Sequence, residues 1–232
     1  MKKPYLEKRG EVGDFSSFIV DGTFIRTNID EEFTNFGQHL RFKFVPKNEL
    51  WIDKENSGDE SRFFIQHMLI EHRLMSSGMK YGKAIEIADK KEGKERSKSK
   101  FYKEDIKLKR KHDPKLIESI HKRKIVNLGK KINVWIVNGE VVRDLFFIDF
   151  TEGGHDKVYS FVPKNEIWID DDVSPNERKF VMVHEIHERN LMSKAFNYDK
   201  AHLSASAIEY KCRKKPSLVQ KIIKQEIKRS LQ

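Results

Sequence analysis

The chain has 232 residues, 35% of them charged and 38% hydrophobic, with a formal net charge of +10. Sixteen Phe, three Trp and six Tyr supply the bulk of a packed core, which excludes global disorder, and no apolar run approaches the length of a membrane span. The single cysteine, Cys212, excludes an intrachain disulfide framework and a Cys-based zinc knuckle and reads as a helix residue without chemistry. With no apolar signal-peptide stretch after Met1, a reducing cytoplasm is the expected location.

The charge is unevenly placed. Residues 93–134 hold 15 Lys or Arg against 5 Asp or Glu, and residues 210–232 hold 8 against 1. Residues 135–209 run the other way, with 8 against 14. This alternation argues against a protein whose whole surface meets nucleic acid.

The alternation follows a tandem repeat. The run Phe44-Val45-Pro46-Lys47-Asn48-Glu49 recurs as Phe161-Val162-Pro163-Lys164-Asn165-Glu166, at an offset of 117. Held without gaps, that offset gives 29 identities in 75 positions between 18–92 and 135–209. Two copies of one α+β module are therefore expected, at 1–112 and 113–232. Each has a small, mostly antiparallel sheet with two to three helices on one face.

In chain order, Asp21-Gly22 predicts a hairpin turn in copy one, and Asn138-Gly139 predicts its counterpart between Val134–Val137 and Glu140–Arg143. The Phe-Val-Pro-Lys-Asn-Glu run reads as architecture in both copies: a strand end, a Pro turn and a Glu cap. Ser97 to Arg123 is expected to be a basic linker that includes a helix. In copy two, Phe146–Phe150 and Lys157–Val162 are expected strands, and Glu166–Asp170 a short one. Ser174-Pro175-Asn176-Glu177 predicts a helix start with Ser as N-cap and Pro at N1, the helix running to about Ser193. A second helix is expected from Asn197 or Asp199 to about Cys212, and a third after Pro216-Ser217.

The copies differ in a polar set. Copy two has His184-Glu185-Ile186-His187-Glu188 where copy one has His67-Met68-Leu69-Ile70-Glu71. His202 stands opposite Ile85, and His155 opposite Gln38. His184 and Glu188, four residues apart on a helix, converge, and His202 comes from the next helix between small residues. Two imidazoles and a carboxylate form a ligand set for catalytic zinc, which leaves a position for water. Glu185 is then the expected general base. His187 is an alternative ligand or oxyanion stabiliser. His155 could reach the site from a loop or belong to a turn. Glu209, repeated as Glu92, fits a supporting role. One divalent metal per chain is expected, in the second repeat. The alternative is that these residues form a buried hydrogen-bond network, the reading that fits His67 and Glu71 in copy one.

The run Ile167-Trp168-Ile169-Asp170, a spacer, then Lys179-Phe180-Val181-Met182-Val183-His184-Glu185-Ile186-His187 resembles the start of the zincin metallopeptidases, in the layout of the ImmA/IrrE type. The resemblance covers about residues 165–209. It implies a zinc-dependent peptidase acting on a protein or peptide, with His184 as ligand, Glu185 as base and a further ligand from the following helix. The family's second histidine is Glu188 here. Copy one is then a degenerate partner that braces copy two or binds substrate.

A different function class rests on the basic clusters. Lys109, Arg110 and Lys111, with Lys122, Arg123 and Lys124, could track phosphates of a nucleic acid or bind a protein, with the His/Glu cluster structural. Against this stands the bland expectation of a solvated helix and connection.

Overall fold

The computed structural model describes residues 3–56, 58–110, 115–128 and 132–230. The chain divides into two compact units, Met1–Asp113 with Glu140–Asp149, and Pro114–Gly139 with Phe150–Gln232. These differ from the expected halves in residues 140–149, which pack within the first unit. The expected junction at 112/113 lies outside the described residues. The physical reason for the difference is electrostatic. Arg143 donates from Nε to Glu60 Oε1 at 2.9 Å and from Nη2 to Glu60 Oε2, and Asp144 accepts from Arg96 at 3.2 Å.

The first unit opens with strands β1 (Tyr5–Val12) and β2 (Phe15–Val20), antiparallel across the turn at Gly13, whose φ of 61° suits glycine. Helix α1 (Gly22–Asn28), strand β3 (Phe36–Gln38) and strand β4 (Glu49–Asp53) follow. Helices α2 (Ser61–Ser76), α3 (Tyr81–Arg96) and α4 (Lys100–Arg110) come next. The second unit begins with helix α5 (Lys115–Ile120), strand β5 (His121–Leu128) and strand β6 (Ile132–Val137). Helix α6 (Gly139–Leu145) then leads the chain through residues 140–149 of the first unit. Strands β7 (Gly153–His155) and β8 (Glu166–Asp170) precede helices α7 (Arg178–Met192), α8 (Tyr198–Lys214) and α9 (Val219–Ser230). Among the described residues no helix is long and apolar enough to cross a membrane.

Both sheets have four strands in the same order, β1-β2-β4-β3 and β5-β6-β8-β7. The central pairs β2/β4 and β6/β8 are parallel and the outer pairs antiparallel. The registers repeat at the sequence offset: Phe18↔Trp51 becomes Trp135↔Trp168, and Gly37↔Trp51 becomes Gly154↔Trp168. The two repeats thus build the expected α+β modules. Strand β8 is buried along its whole length, as a central strand flanked on both edges must be. Its Ile167 and Ile169 meet Val181, Val183 and Ile186 of α7 in the second unit's core.

The expected hairpins at Asp21-Gly22 and Asn138-Gly139 do not form; each glycine opens a short helix. Asp21 caps α1 by accepting from Phe24 N at 3.3 Å. Here the glycine serves a close approach instead of a turn. A Cβ on Gly22 would lie 1.7 Å from Asp53 Oδ2, and one on Gly139 2.1 Å from Asp170 Oδ2. The chain cannot reverse at these points, because the following central strand runs parallel. Phe146–Phe150 and Lys157–Val162, expected as strands, are turns and loop, with the short β7 between them. Ser174–Glu177 is a turn, with Glu177 N→Ser174 O at 2.9 Å and Arg178 N→Ser174 O at 3.1 Å, and α7 runs from Arg178, three residues later than expected. The Pro-Lys-Asn-Glu run is the turn that launches β4 and β8, not a strand end. Its glutamates accept from the indole of the tryptophan two residues on, at 2.6 Å for Glu49 and 2.8 Å for Glu166. The last residues of the expected basic linker, 121–123, open strand β5, which pairs with β6.

Gly22→Ala and Gly139→Ala should each lower the melting temperature by roughly 5 °C or more, because a carboxylate must be displaced from its site. Gly82→Ala, whose methyl would meet nothing within 4 Å, should leave it unchanged or raise it slightly. Thermal melts of the three variants check this.

Candidate metal centre

Every residue of α7 from Val183 to Asn190 is buried. Five of them are ionisable, and buried ionisable groups need partners. In the middle of the helix those partners come from β7 and α8. His184 Nε2, His202 Nδ1 and Glu188 Oε2 form a triangle with sides of 3.2 Å between the two imidazoles, 2.9 Å from His202 to Glu188 and 3.5 Å from His184 to Glu188. Zinc bonds to nitrogen or oxygen are about 2.0–2.1 Å, so the edge of a tetrahedron of such ligands is about 3.3–3.4 Å. The triangle brackets that value, and the expected ligands His184, Glu188 and His202 do converge on one point.

The surrounding hydrogen bonds orient these atoms. His184 Nδ1 lies 2.8 Å from Glu209 Oε2, so Nδ1–H donates to the carboxylate, and Nε2 is the nitrogen whose lone pair the neutral ring would offer to an ion. Arg213 donates to Glu209 from Nε at 2.8 Å and from Nη1 to Glu177. His155 accepts from Lys157 N at 3.1 Å through Nδ1; its Nε2 therefore carries hydrogen and donates to Glu188 Oε1 at 3.1 Å. His155 thus holds one oxygen of Glu188 and leaves the other facing the imidazoles. Tyr198 stacks on His202, their ring centres 5.3 Å apart.

Burial disfavours the His184 cation, yet the hydrogen bonds to Glu188 and Glu209 outweigh it and hold its pKa well above the ordinary value. Burial likewise opposes ionisation of Glu188, and hydrogen bonds from His155, His184 and His202 overcome it, keeping Glu188 far below the usual range. Glu209 falls to about 2 despite burial, through His184 and Arg213. Glu185 goes the other way. Burial, reinforced by the charge of Glu188, pushes it up to about 8. Its carboxylate has an oxygen within 4.8 Å of ligand-capable atoms of His155 and Glu188, and lies where a Cβ on Gly153 would come within 3.1 Å of Oε1.

Glu185, His155 and Glu209 are thus gathered around the triangle, but His187 is not. His187 faces α9, with Nδ1 3.0 Å from Glu226 and Nε2 2.9 Å from Ser204 Oγ. Sequence reasoning missed Arg213 and Glu177 as supports. The signal was there: Glu177 and Arg213 recur as Glu60 and Arg96 at the repeat offset. Cys212 is buried in α8 beside the apolar core, with no further role visible.

The first unit carries the same supports without the triangle. His67 Nδ1 meets Glu92 at 2.9 Å, Arg96 holds Glu92 at 2.7 Å and Glu60 at 2.5 Å, and Gln38 donates to Glu71. Ile85 stands where His202 would be, and Met68, fully buried, takes the place of Glu185. The basic clusters are divided between the units. Lys109 sits over the Phe146 ring in the first. In the second, Lys122 pairs with Asp171 and Lys124 lies over Trp135, with Arg123 between them on β5. The Arg110 side chain and Lys111 lie outside the described residues. No protein-family model, curated protein or solved structure matches the chain.

Asp89 gives the first unit a pH dependence of its own. Burial, with the neighbouring Asp149, pushes its pKa up to about 7. The folded state therefore binds a proton that the unfolded chain gives up near the ordinary aspartate value, and stability falls as pH rises from about 4 to about 7. His67, raised to about 9 by Glu71 and Glu92 against the cost of burial, adds a loss between about 6.5 and 9. Each proton contributes a slope of about 1.4 kcal/mol per pH unit inside its window. Asp89→Asn should flatten the melting temperature between pH 5 and 7 while leaving the fall above pH 7. Melts at closely spaced pH values check both arms.

Proposed function

We propose that the second unit is a metal-dependent hydrolase, with His184, Glu188 and His202 holding one divalent ion, zinc by its fit, and a peptide or protein as substrate. The observation that carries this reading is the triangle of three ligand-capable atoms at tetrahedral-edge spacing, with the His184 tautomer set by Glu209. The resemblance of 165–209 to the zincin layout points the same way.

When bound, such an ion supplies Lewis-acid chemistry: it acidifies a water and polarises a carbonyl. The chain's own residues do the rest. Glu209, braced by Arg213, keeps His184 from rotating. His155 fixes the outer oxygen of Glu188. Beside a cation, Glu185 loses the proton that burial imposes on it, and its carboxylate takes a proton from the attacking water and returns it to the leaving amine. Three large apolar side chains exposed in this unit, Phe196, Tyr198 and Leu203, flank His202 in the sequence, and the Tyr198 ring stacks on it. They offer footing for an apolar side chain of a peptide.

Purified protein loaded with zinc and dialysed should retain one equivalent by elemental analysis. His184→Ala and His202→Ala should each lose it, and His67→Ala should keep it. Glu185→Gln should retain the ion while hydrolysis of a quenched fluorescent unfolded protein falls by at least about 100-fold, the scale of lost general-base catalysis. Wild-type protein without stoichiometric metal would sink the reading and leave the buried hydrogen-bond network in its place.

A second reading, binding of an anionic polymer such as nucleic acid, draws on α9, where Lys221, Lys224 and Lys228 line one concave surface with Gln220 and Gln225. It expects a steep loss of affinity with salt, made shallower by replacing the three lysines with Gln. No binding of single- or double-stranded nucleic acid at about 50 mM salt ends it.

A further inference from the structure

The polar group that the proposed metal centre leaves unused lies on the other flank of α7. His187 Nδ1 is 3.0 Å from Glu226 Oε1, and His187 Nε2 is 2.9 Å from Ser204 Oγ. Three helices contribute one member each: Ser204 from α8, His187 from α7 and Glu226 from α9. Glu226 is fixed further by Asn190, which donates to Oε2 at 2.9 Å, and by Arg229, which donates to Oε1 at 2.6 Å. Burial alone would raise Glu226, but the donors His187 and Asn190 keep it below the ordinary glutamate value, so it is a carboxylate and accepts the hydrogen bond of His187 Nδ1–H. The Nε2 lone pair is thereby left to accept from Ser204 Oγ. The order hydroxyl, imidazole, carboxylate, with both contacts near 3 Å, is the arrangement that makes a serine nucleophilic.

Two further observations separate this array from ordinary helix packing. His187, Asn190 and Glu226 are buried, while Ser204 at its end is part-exposed, so the hydroxyl stands between the buried relay and solvent. The repeat supplies the other. At the offset of 117 the positions of Ser204, His187 and Glu226 are Ile87, Ile70 and Lys109, so the module folds without any member of the array.

We propose that Ser204 is a nucleophile activated by His187 and oriented through Glu226, and that it accepts an acyl group from a carboxylic ester. Ser204 Oγ bonds to the ester carbonyl carbon while its proton passes to His187 Nε2. The bond from that carbon to the alcohol oxygen breaks, and the departing oxygen takes the proton from His187. Water then attacks the seryl ester by the same route, releasing the carboxylic acid and restoring the Ser204 hydroxyl. This activity needs no metal and stands apart from the proposed hydrolase.

The test uses a fluorophosphonate probe on the full chain in chelator. Attack by Ser204 forms an oxygen–phosphorus bond and expels fluoride, the proton remaining on His187. Peptide mass spectrometry should find one adduct per chain, on Ser204. Labelling should vanish in Ser204→Ala, slow by at least about 10-fold in His187→Gln and Glu226→Gln, in line with the usual contribution of a positioned base, and persist in Ser217→Ala, an exposed serine of the same unit. Circular dichroism confirms that each variant is folded, and the wild-type measurement stands by itself if one is not. An unlabelled Ser204 in wild-type protein overturns the proposal, as does an adduct that forms equally fast in folded His187→Gln. Because the proposed metal centre is stripped throughout, its failure and that of the nucleophile are read separately.

Discussion

A buried chain of four charges organises each repeat: histidine, glutamate, arginine, glutamate. In the second unit it runs His184–Glu209–Arg213–Glu177, and in the first His67–Glu92–Arg96–Glu60. It ties the middle of one helix to the next helix and back to the residue before the first helix begins. Taking such groups out of water is costly, and removing one member strands the rest, typically at 3–5 kcal/mol. The chain therefore sets the pairing of α7 with α8 and of α2 with α3. It also fixes which imidazole nitrogen faces outward from the pair. Alanines at matching positions, Ala84 and Ala88 in one copy and Ala201 and Ala205 in the other, are wholly buried and let the helices come close enough for the chain to form.

Since that chain is present twice, it is scaffolding, and chemistry has to be sought in what differs around it. Gln38 and His155 turn out to be a substitution of like for like. Both donate to the glutamate four residues after the histidine, Gln38 to Glu71 and His155 to Glu188. The exchange of Met68 for Glu185 is not of that kind. Met68 packs with Ile19, Leu50 and Ile52 in an apolar core cluster, and its counterpart places a carboxyl group in an equivalent pocket. Burial there, with the charge of Glu188 beside it, is what raises the Glu185 pKa. Ile85 against His202 is the third difference, and it alone decides whether two or three ligand-capable atoms meet.

Much of the candidate site was legible from spacing, because a helix forces His184 and Glu188 together and the repeat offset marks what is added to the common frame. The frame was less so. Asp21-Gly22 and Asn138-Gly139 carry the residues of a tight turn, but their glycines answer to Asp53 and Asp170, which are about 30 residues downstream and silent in any local window. Ser174 reads as a helix cap, yet Glu177, placed to complete the capping box, is drawn away by Arg213. Residues 140–149 leave their own repeat because Arg143 finds Glu60, a pairing across 83 positions. In each case a long-range charge or packing contact overrode a local preference. Glu226 escaped notice for the same reason: it belongs to no motif, and only α9 folding back against α7 joins it to His187, while Ser204 on α8 read as a small residue that lets the helix approach.

The triangle of His184, His202 and Glu188 also bears on how far a purely structural reading can go. Two of its edges, 2.9 and 3.2 Å, are hydrogen-bonding contacts that share His202 Nδ1, and the third is an ion-pair contact of 3.5 Å. With Nδ1 of His184 committed to Glu209, the neutral rings bring at most one proton to the triangle, from His202 Nδ1. A second arrives if His184 is protonated, which its raised pKa favours, but that proton then faces the one on His202 across 3.2 Å. No assignment gives each edge a proton of its own, whereas Gln38 and Glu71 in the first unit meet through a single N–H donor. Positive charge among the three side chains eases the crowding, and a proton on His184 supplies such charge. The second unit's hydrogen bonding is thus eased by positive charge among these side chains, and the first unit, with Ile85 in place of His202, lacks that crowding.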